Sequence, residues 1–225
     1  MQMKLAIIGY GKMGKAVAKV AVDKGWSIVA KVRKDDVWDP KEWDADIVFE
    51  STRPESAVDN ALRCIDAGLP VVIATTGWHN RLSEIENAQG CVFYATNFSI
   101  GIHLLNNISQ YMTQVMTQFS DYTPSIKEEH HTQKLDSPSG TALTLSRIVT
   151  TAGAKKPVAI SASRKNDVVG IHELCWDSKV DQLILRHEAI SREGFALGGF
   201  QALNWLLEKE SGVFTMNDMI SNLDN

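Results

Sequence analysis

Residues 128–142, Glu-Glu-His-His-Thr-Gln-Lys-Leu-Asp-Ser-Pro-Ser-Gly-Thr-Ala, bring together side chains that could do chemistry. The adjacent His130 and His131 can exchange protons near neutral pH. Lys134 adds a positive charge, and a helix beginning at Gly140–Thr141 would offer free backbone N–H groups to an anion. This spacing predicts a site that binds carboxylates and transfers a proton.

Each side chain of this segment also has an ordinary structural interpretation. A single histidine is most often structural, Lys134 could be a surface lysine, and Asp136 could be a turn or cap residue. His130 and His131 end a predicted strand, so their side chains should point to opposite sides of the sheet. That geometry disfavours one metal shared by both, and we expect no metal site here.

A glycine-rich loop, Gly9-Tyr-Gly-Lys-Met-Gly14, follows a short apolar run and precedes a helical pattern. In that context Gly-x-Gly-x-x-Gly is typical of dinucleotide binding. Gly9 would permit a tight turn, Gly11 would let the backbone approach a pyrophosphate, and Gly14 would let the helix pack on the strand. The alternative is a glycine turn that binds no ligand.

The end of the second predicted strand bears on the choice of cofactor. Val32 is followed by Arg33 and Lys34, and the next acid is Asp35. An acid at the strand end favours NAD through the ribose 2′-hydroxyl, whereas basic residues accommodate the 2′-phosphate of NADP. We therefore expect NADPH, with NADH as a second cofactor. A solvated surface loop is the alternative interpretation.

Strand and helix patterns alternate over the first ninety-odd residues, which predicts an α/β fold with a Rossmann-type, doubly wound parallel sheet. The predicted strands are Leu5–Ile8, Ser27–Val32, Asp46–Phe49, Val71–Ala74 and Cys91–Ala95, and the helices after the glycine loop are Pro54–Ala67 and Leu82–Ala88. The loops Ser51–Pro54 and Ala74–Gly77 follow such strands. Their small hydroxylated side chains could line a nicotinamide pocket.

The pattern changes after Asn97, where a long helix and longer strands predict a smaller α+β domain. The predicted elements are a helix over Ser99–Phe119, strands over Ser125–His131, Val158–Ser163, Val168–Trp176 and Gln182–Ala189, and a helix over about Ser139–Thr151. A last helix, Glu193–Glu208, is expected to pack on the first domain. The prediction is a dinucleotide-binding domain over 1–98 and about 198–225, and a second domain over 99–197.

Composition limits the class of protein. A net charge of -4 and 44% apolar residues argue against nucleic acid as a partner and provide for a sizeable core. The three widely spaced cysteines fit a reducing compartment without disulfides. The apolar runs are shorter than a membrane span or a signal peptide requires, so we expect a cytoplasmic protein without membrane association.

The segment Glu-x-His-His-x-x-Lys-x-Asp-x-Pro-Ser-Gly-Thr-Ala resembles the signature of the 4-hydroxy-tetrahydrodipicolinate reductase (dihydrodipicolinate reductase) family of lysine and diaminopimelate biosynthesis. The glycine loop, Ser51–Pro54, Thr75–Gly77, Asn97–Gly101 and the Arg-x5-Gly-x-His sequence over 164–172 follow in that family's order. The resemblance spans nearly the whole chain. The His-His and Ser-Gly-Thr motif is highly specific, whereas the glycine loop alone is not.

The resemblance implies NAD(P)H-dependent reduction of a cyclic imine dicarboxylate by a homotetramer assembled through its substrate domains. It implies that His130 is the proton donor and acceptor, and that Lys134 is both a second proton donor and a partner of a substrate carboxylate. It implies that His131, Gly140 and Thr141 bind substrate. The implied cofactor-binding residues are Gly9, Tyr10, Gly11, Lys12, Met13, Gly14, Arg33, Lys34, Ala74, Thr75, Thr76, Thr96, Asn97 and Phe98.

Some positions depart from the family pattern: Ala74 stands for a frequent glycine, His103 for a common Asn, and Arg33 for a frequent acid. Two other functions remain open at this stage. One is a different NAD(P)-dependent dehydrogenase of amino-acid metabolism, such as an aspartate or homoserine dehydrogenase. The other is a nucleotide sensor without catalysis, since fold alone does not fix function.

Overall fold

The computed structural model describes residues 2–155 and 157–221 and divides into two compact units. The first unit comprises Met1–Ile100 and Glu193–Asn225, and the second comprises Gly101–Arg192. The first boundary thus lies after residue 100 rather than 98, and the second after 192 rather than about 197. The second boundary is earlier because the last long helix belongs to the first unit from its first residue, Glu193.

A six-stranded parallel sheet forms the centre of the first unit. Its strands are β1 (Lys4–Ile8), β2 (Ser27–Val32), β3 (Ile47–Glu50), β4 (Val71–Ile73), β5 (Cys91–Tyr94) and, after four strands of the second unit, β10 (Gly212–Phe214). Their order is β10-β5-β4-β3-β1-β2, and every neighbouring pair is parallel. This is the predicted doubly wound arrangement, with the β1 loop at the point where strand order reverses.

Helices cover both faces of this sheet. They are α1 (Lys12–Asp23), α2 (Pro54–Asp66), α3 (Leu82–Asn87), α6 (Glu193–Leu206) and α7 (Met216–Ser221). One core joins Val17 of α1 and Leu203 of α6 to Phe49 of the sheet, while the other joins Ala61 of α2 to Val48. Because both faces are buried, the four inner strands β1, β3, β4 and β5 are mostly apolar runs without alternation, as parallel strands usually are.

The second unit contains a four-stranded mixed sheet and two helices. Its elements are α4 (Ile100–Met116), β6 (Thr123–His130), α5 (Gly140–Thr151), β7 (Ala159–Arg164), β8 (Gly170–Asp177) and β9 (Gln182–Ala189). The strand order is β7-β6-β8-β9, and β6 pairs with β7 in parallel and with β8 antiparallel. Ile126 and Leu174 pack against Leu105 of α4 and Leu145 of α5. One face of the sheet therefore forms the core, and the predicted fold class is confirmed.

The structure differs from the sequence prediction at the ends of elements and in short ones. Strand β6 ends at His130 and does not include His131, and α4 is shorter at both ends than predicted. The three-residue β10 and the short α7 were missed, because so few residues carry no clear periodicity. Among the described residues, no helix combines the length and the apolar character that crossing a membrane would require.

Candidate active site

The three glycines of the loop after β1 do different structural work. Gly9 has φ +89°, and a Cβ added there would lie 2.2 Å from the carbonyl oxygen of Ser51. A Cβ on Gly14 would lie 2.4 Å from the oxygen of Gly9. A Cβ on Gly11 would meet nothing within 4 Å among the residues that the structure describes. Gly9 and Gly14 are thus required by the fold. Gly11 instead leaves open space in which a ligand could approach the protein backbone.

Backbone and side-chain hydrogen bonds fix the loop against its neighbours. The N–H groups of Gly9 and Tyr10 donate to the oxygen of Val32 at 3.0 and 3.1 Å. The hydroxyl of Ser51 donates to the oxygen of Gly9 at 3.0 Å. Helix α1 begins directly after Gly11, and the N–H groups of its first turn have no intrahelical acceptor. Such N–H groups, with the helix dipole, favour an anion at this helix end, as the predicted pyrophosphate contact requires.

A cleft beside this loop contains part of the predicted cofactor site. The residues that line it are Ile8, Gly9, Tyr10, Gly11, Val32, Arg33, Lys34, Trp38, Ser51, Thr52, Arg53, Ser56 and Asn60. Arg33 and Lys34 therefore lie in the same cleft as the glycine loop. Trp38 was not predicted. The guanidinium of Arg63 stacks on the indole of Trp38, 3.6 Å from the centre of that ring.

The remaining predicted cofactor residues lie outside the lining of that cleft. Lys12, Met13 and Gly14 are in the first turns of α1, while Ala74–Thr76 and Thr96–Phe98 follow β4 and β5. They are at the carboxyl edge of the parallel sheet, the edge that also carries the glycine loop. Phe98 is 3% exposed and packs against Phe49 and Phe93, so its side chain belongs to the core.

A buried acid at the end of β3 was missed in the sequence. Glu50 is fully buried, and it accepts hydrogen bonds from the N–H and hydroxyl of Thr52 and from the amide of Asn60. Burial raises the pKa of Glu50 above its ordinary value, although these hydrogen bonds act in the opposite direction. The sequence feature that could have revealed this buried acid is its position as the last residue of the otherwise apolar run Ile47–Glu50.

In the second unit, β6 carries the predicted proton-transfer residue. Its alternating burial places Glu128 and His130 on the buried face and leaves Lys127 exposed. His130 is 7% exposed, and the partly exposed His131 lies just beyond the strand. Burial lowers the pKa of His130. The positive charge of Lys134 acts in the same direction, and the carboxylate of Glu128 opposes both.

Lys134 lies on the loop that follows β6. Its ammonium is 2.8 Å from the carboxylate of Asp136, and that pairing lowers the pKa of Asp136. The guanidinium of Arg164 donates to the backbone oxygens of Lys134 and Asp136. The loop is thus attached to Arg164 of β7, the residue that the β6–β7 register places opposite His130.

Helix α5 begins at Gly140, as expected for the predicted anion site. Ser139 is its N-cap, and the Ser139 hydroxyl accepts from the N–H of Ala142 at 3.1 Å. The N–H groups of Gly140 and Thr141 belong to the first turn, where the helix itself supplies no acceptor. Lys134, His131 and this helix end therefore belong to one segment that offers several donors to carboxylates.

Two further side chains, His172 of β8 and Arg164 of β7, contact the predicted cluster. The β6–β8 register places His172 opposite Glu128, and the β6–β7 register places Arg164 opposite His130. The rings of His130 and His172 are 4.9 Å apart. Burial, with His130 beside it, lowers the pKa of His172 to about 4, so its imidazole is neutral at pH 7.

We expected no metal shared by His130 and His131. The structure instead brings a different group of possible metal ligands together. Ligand atoms of Glu128, His130 and His172 all lie within 4.8 Å of one another. Arg164 is 3.3 Å from the same carboxylate, however, and already supplies the positive charge. An acid, two histidines and an arginine in this arrangement can hold and move a proton.

A doubly wound α/β unit with a glycine loop after β1, followed by a unit with a buried histidine pair, is an arrangement that nicotinamide-dependent oxidoreductases use. The family model described as dihydrodipicolinate reductase, N-terminus, matches residues 3–98, and the model for its C-terminus matches residues 101–220. The chain belongs to the dihydrodipicolinate reductase family.

Individual relatives agree with this family. A 4-hydroxy-tetrahydrodipicolinate reductase of Christiangramia forsetii is 34% identical over 98% of this chain and 99% of its own length. That of Clostridium novyi is 34% identical over 93% of this chain and 94% of its own. A dipicolinate-bound dihydrodipicolinate reductase from Paenisporosarcina sp. TG-14 has a TM-score of 0.78 at 20% identity, over 97% of this chain and 100% of that one, so it shares the fold.

Proposed function

We propose that this protein reduces 4-hydroxy-tetrahydrodipicolinate to tetrahydrodipicolinate with NAD(P)H, in lysine and diaminopimelate biosynthesis. The observation that carries the proposal is the buried His130, with Lys134 and the start of α5 on the segment that follows it. The family to which the chain belongs supports the same reaction.

Substrate recognition follows from charge. The substrate carries two carboxylates, and His131, Lys134 and the N–H groups of Gly140 and Thr141 are the donors that we assign to them. A charge-assisted hydrogen bond is roughly twice as strong as a neutral one, so Lys134 should contribute most to this binding. Asp136, now paired with Lys134, would give up that partner to a substrate carboxylate.

Proton transfer is assigned to His130, with Lys134 as a second donor. Water is first lost from the 4-hydroxyl group of the substrate. When bound, the reduced nicotinamide supplies a hydride to C4 of the ring. His130 then donates a proton to the enamine that results, and solvent returns the proton to His130. General acid catalysis of this kind contributes about 10²–10⁴ in rate.

NADPH is the proposed cofactor, and NADH is a second substrate of the same site. The open space at Gly11 and the first-turn N–H groups of α1 fit a dinucleotide pyrophosphate. Arg33 and Lys34 line the adjoining cleft, where a 2′-phosphate would find two positive charges. The family establishes a nicotinamide nucleotide, and these two side chains favour its phosphorylated form.

The first unit is proposed to bind the dinucleotide, and the second to bind substrate and to assemble four copies in the cytoplasm. Apolar side chains on the second unit support assembly, since Leu183 and Ile184 on β9 and Ile108 and Tyr111 on α4 are all more than 40% exposed. Light scattering should give four times the 24.9 kDa chain mass, and a monomer mass would contradict the assembly.

A coupled assay tests the reaction. Dihydrodipicolinate synthase would generate the substrate from pyruvate and aspartate semialdehyde, and NADPH or NADH oxidation would be followed by absorbance. We expect oxidation only when the synthase product is present, and faster oxidation with NADPH. Oxidation with aspartate semialdehyde alone, or none with the synthase product, would contradict the proposal.

A further inference from the structure

The carboxylate of Glu128 lies at the centre of the buried cluster and has no role in the proposed reaction so far. Its side chain is fully buried. The N–H of Ser139 donates to both carboxylate oxygens, at 3.0 and 3.1 Å, and Arg164 lies 3.3 Å away. These contacts hold the carboxylate in one position and keep it ionised. The pKa of Glu128 is below its ordinary value although burial acts in the opposite direction.

Two imidazoles flank one oxygen of this carboxylate. Nδ1 of His130 is 3.7 Å and Nε2 of His172 is 3.8 Å from Oε2 of Glu128. These distances exceed a hydrogen bond but lie within the range of an ion pair. Nδ1 of His130 is buried and has no hydrogen-bond partner in the described part of the chain. A proton on this nitrogen would lie beside Oε2 of Glu128, which already accepts a hydrogen bond from the N–H of Ser139.

We infer that Glu128 is a positioning residue that enables the His130–His172 pair to hold one proton, and that Arg164 limits the pair to one. This inference rests on the proposed function only in giving the proton its destination, the reduced ring.

The surrounding charges explain why one proton is the limit. The titratable and charged groups around the pair come from β6, the following loop, β7, β8 and β9: Glu128, Lys134, Asp136, Arg164, His172 and His187. Glu128 and Asp136 favour a protonated His130, and Lys134 and Arg164 oppose it. Two imidazolium rings 4.9 Å apart would repel each other and both would lose hydration.

A metal at the same three side chains is the less favourable occupant. Arg164 and the N–H of Ser139 already use both oxygens of Glu128. A divalent ion would also lie close to the guanidinium, and like charges repel strongly where water is excluded. The cluster therefore serves a proton better than a cation.

The test is the titration of His130 in the full-length protein, followed by NMR of ¹³C-labelled histidine and assigned by substitution. In Glu128→Gln the midpoint should move to lower pH, because the stabilising negative charge is gone. In Arg164→Gln it should move to higher pH, because an opposing positive charge is gone. A purely structural role would not move the two midpoints in opposite directions.

Glu129→Gln is the matched control, since Glu129 is the next residue of β6 and pairs with Lys165 instead. Its midpoint should equal that of the wild type. We expect the His130 midpoint of Glu128→Gln to fall by about one pH unit. At a pH above the midpoint, kcat should then fall about tenfold, because the protonated fraction of His130 falls tenfold for each pKa unit. Unchanged or parallel shifts in the two variants would overturn the inference. If Glu128→Gln does not fold, an unchanged midpoint in Arg164→Gln overturns it and a rise supports it. The titration needs no turnover, so it stands apart from the coupled assay.

Discussion

The glycine-loop cleft of the first unit and the histidine cluster of the second, to which we assign different ligands, differ in the groups that they offer for recognition. The cleft offers backbone N–H groups and two exposed basic side chains, on a loop shaped by Gly9 and Gly14. The cluster buries an acid among histidines and an arginine. In the cleft, the shape of the loop depends on glycines at positions where a Cβ would clash. In the cluster, the chemistry depends on which side chain carries a proton. Substitutions should therefore affect stability mainly in the first region and chemistry mainly in the second.

The largest expected effect is on chemistry in the second region. His130→Ala should lower kcat by about 10²–10⁴, because the general acid is lost. Affinity for NADPH should stay within about twofold of the wild type, since the nucleotide is assigned to the other unit. Steady-state kinetics and nucleotide titration check this, and full turnover by the variant would contradict the role of His130.

In the glycine loop, substitutions should mainly change the stability of the protein. Gly9→Ala forces a Cβ to within 2.2 Å of a backbone oxygen at a φ of +89°, so we expect a loss of about 3 kcal/mol in the free energy of unfolding. Gly11→Ala is the matched control, with a loss below about 0.5 kcal/mol. Denaturant unfolding measures both. Equal destabilisation would contradict the different roles of the two glycines.

Cofactor choice sharpens the contrast, because it is the one feature of the cleft that depends on side-chain charge. Replacing Arg33 and Lys34 by alanine should lower the NADPH-to-NADH ratio of kcat/KM on the order of tenfold, since bonds to a charged phosphate contribute about 1.5–3 kcal/mol. Lys24→Ala, at the far end of α1, is the control. An unchanged ratio in the double variant would remove these residues from the 2′-phosphate site.

The smallest expected effect concerns the buried acid of the first unit. Because its folded-state pKa is raised, Glu50 contributes most stability at low pH and loses it as pH rises through that pKa. Glu50→Gln should therefore increase the free energy of unfolding at pH 8 by on the order of 1 kcal/mol, with a smaller gain at pH 5. Exposed Glu86→Gln should change neither value, and a gain independent of pH would count against this explanation.

The sequence predicted the first region better than the second for a physical reason. The glycine loop, the ends of β1 to β5 and the basic pair are local features, each readable within a few residues. The contacts of Glu128 are not local, because Arg164 and His172 reach it through strand pairing. The Arg-x5-Gly-x-His sequence was visible over 164–172, but only the register of β6, β7 and β8 gives it a position beside His130.

The central claim is that the two regions bind two different ligands. Titration calorimetry of Gly11→Ala and Lys134→Ala tests it directly, with NADPH first and then dipicolinate at saturating NADPH. We predict that Gly11→Ala weakens NADPH binding about tenfold and leaves dipicolinate nearly unchanged, and that Lys134→Ala does the reverse. Weaker NADPH binding in Lys134→Ala, with dipicolinate binding intact, would contradict the account.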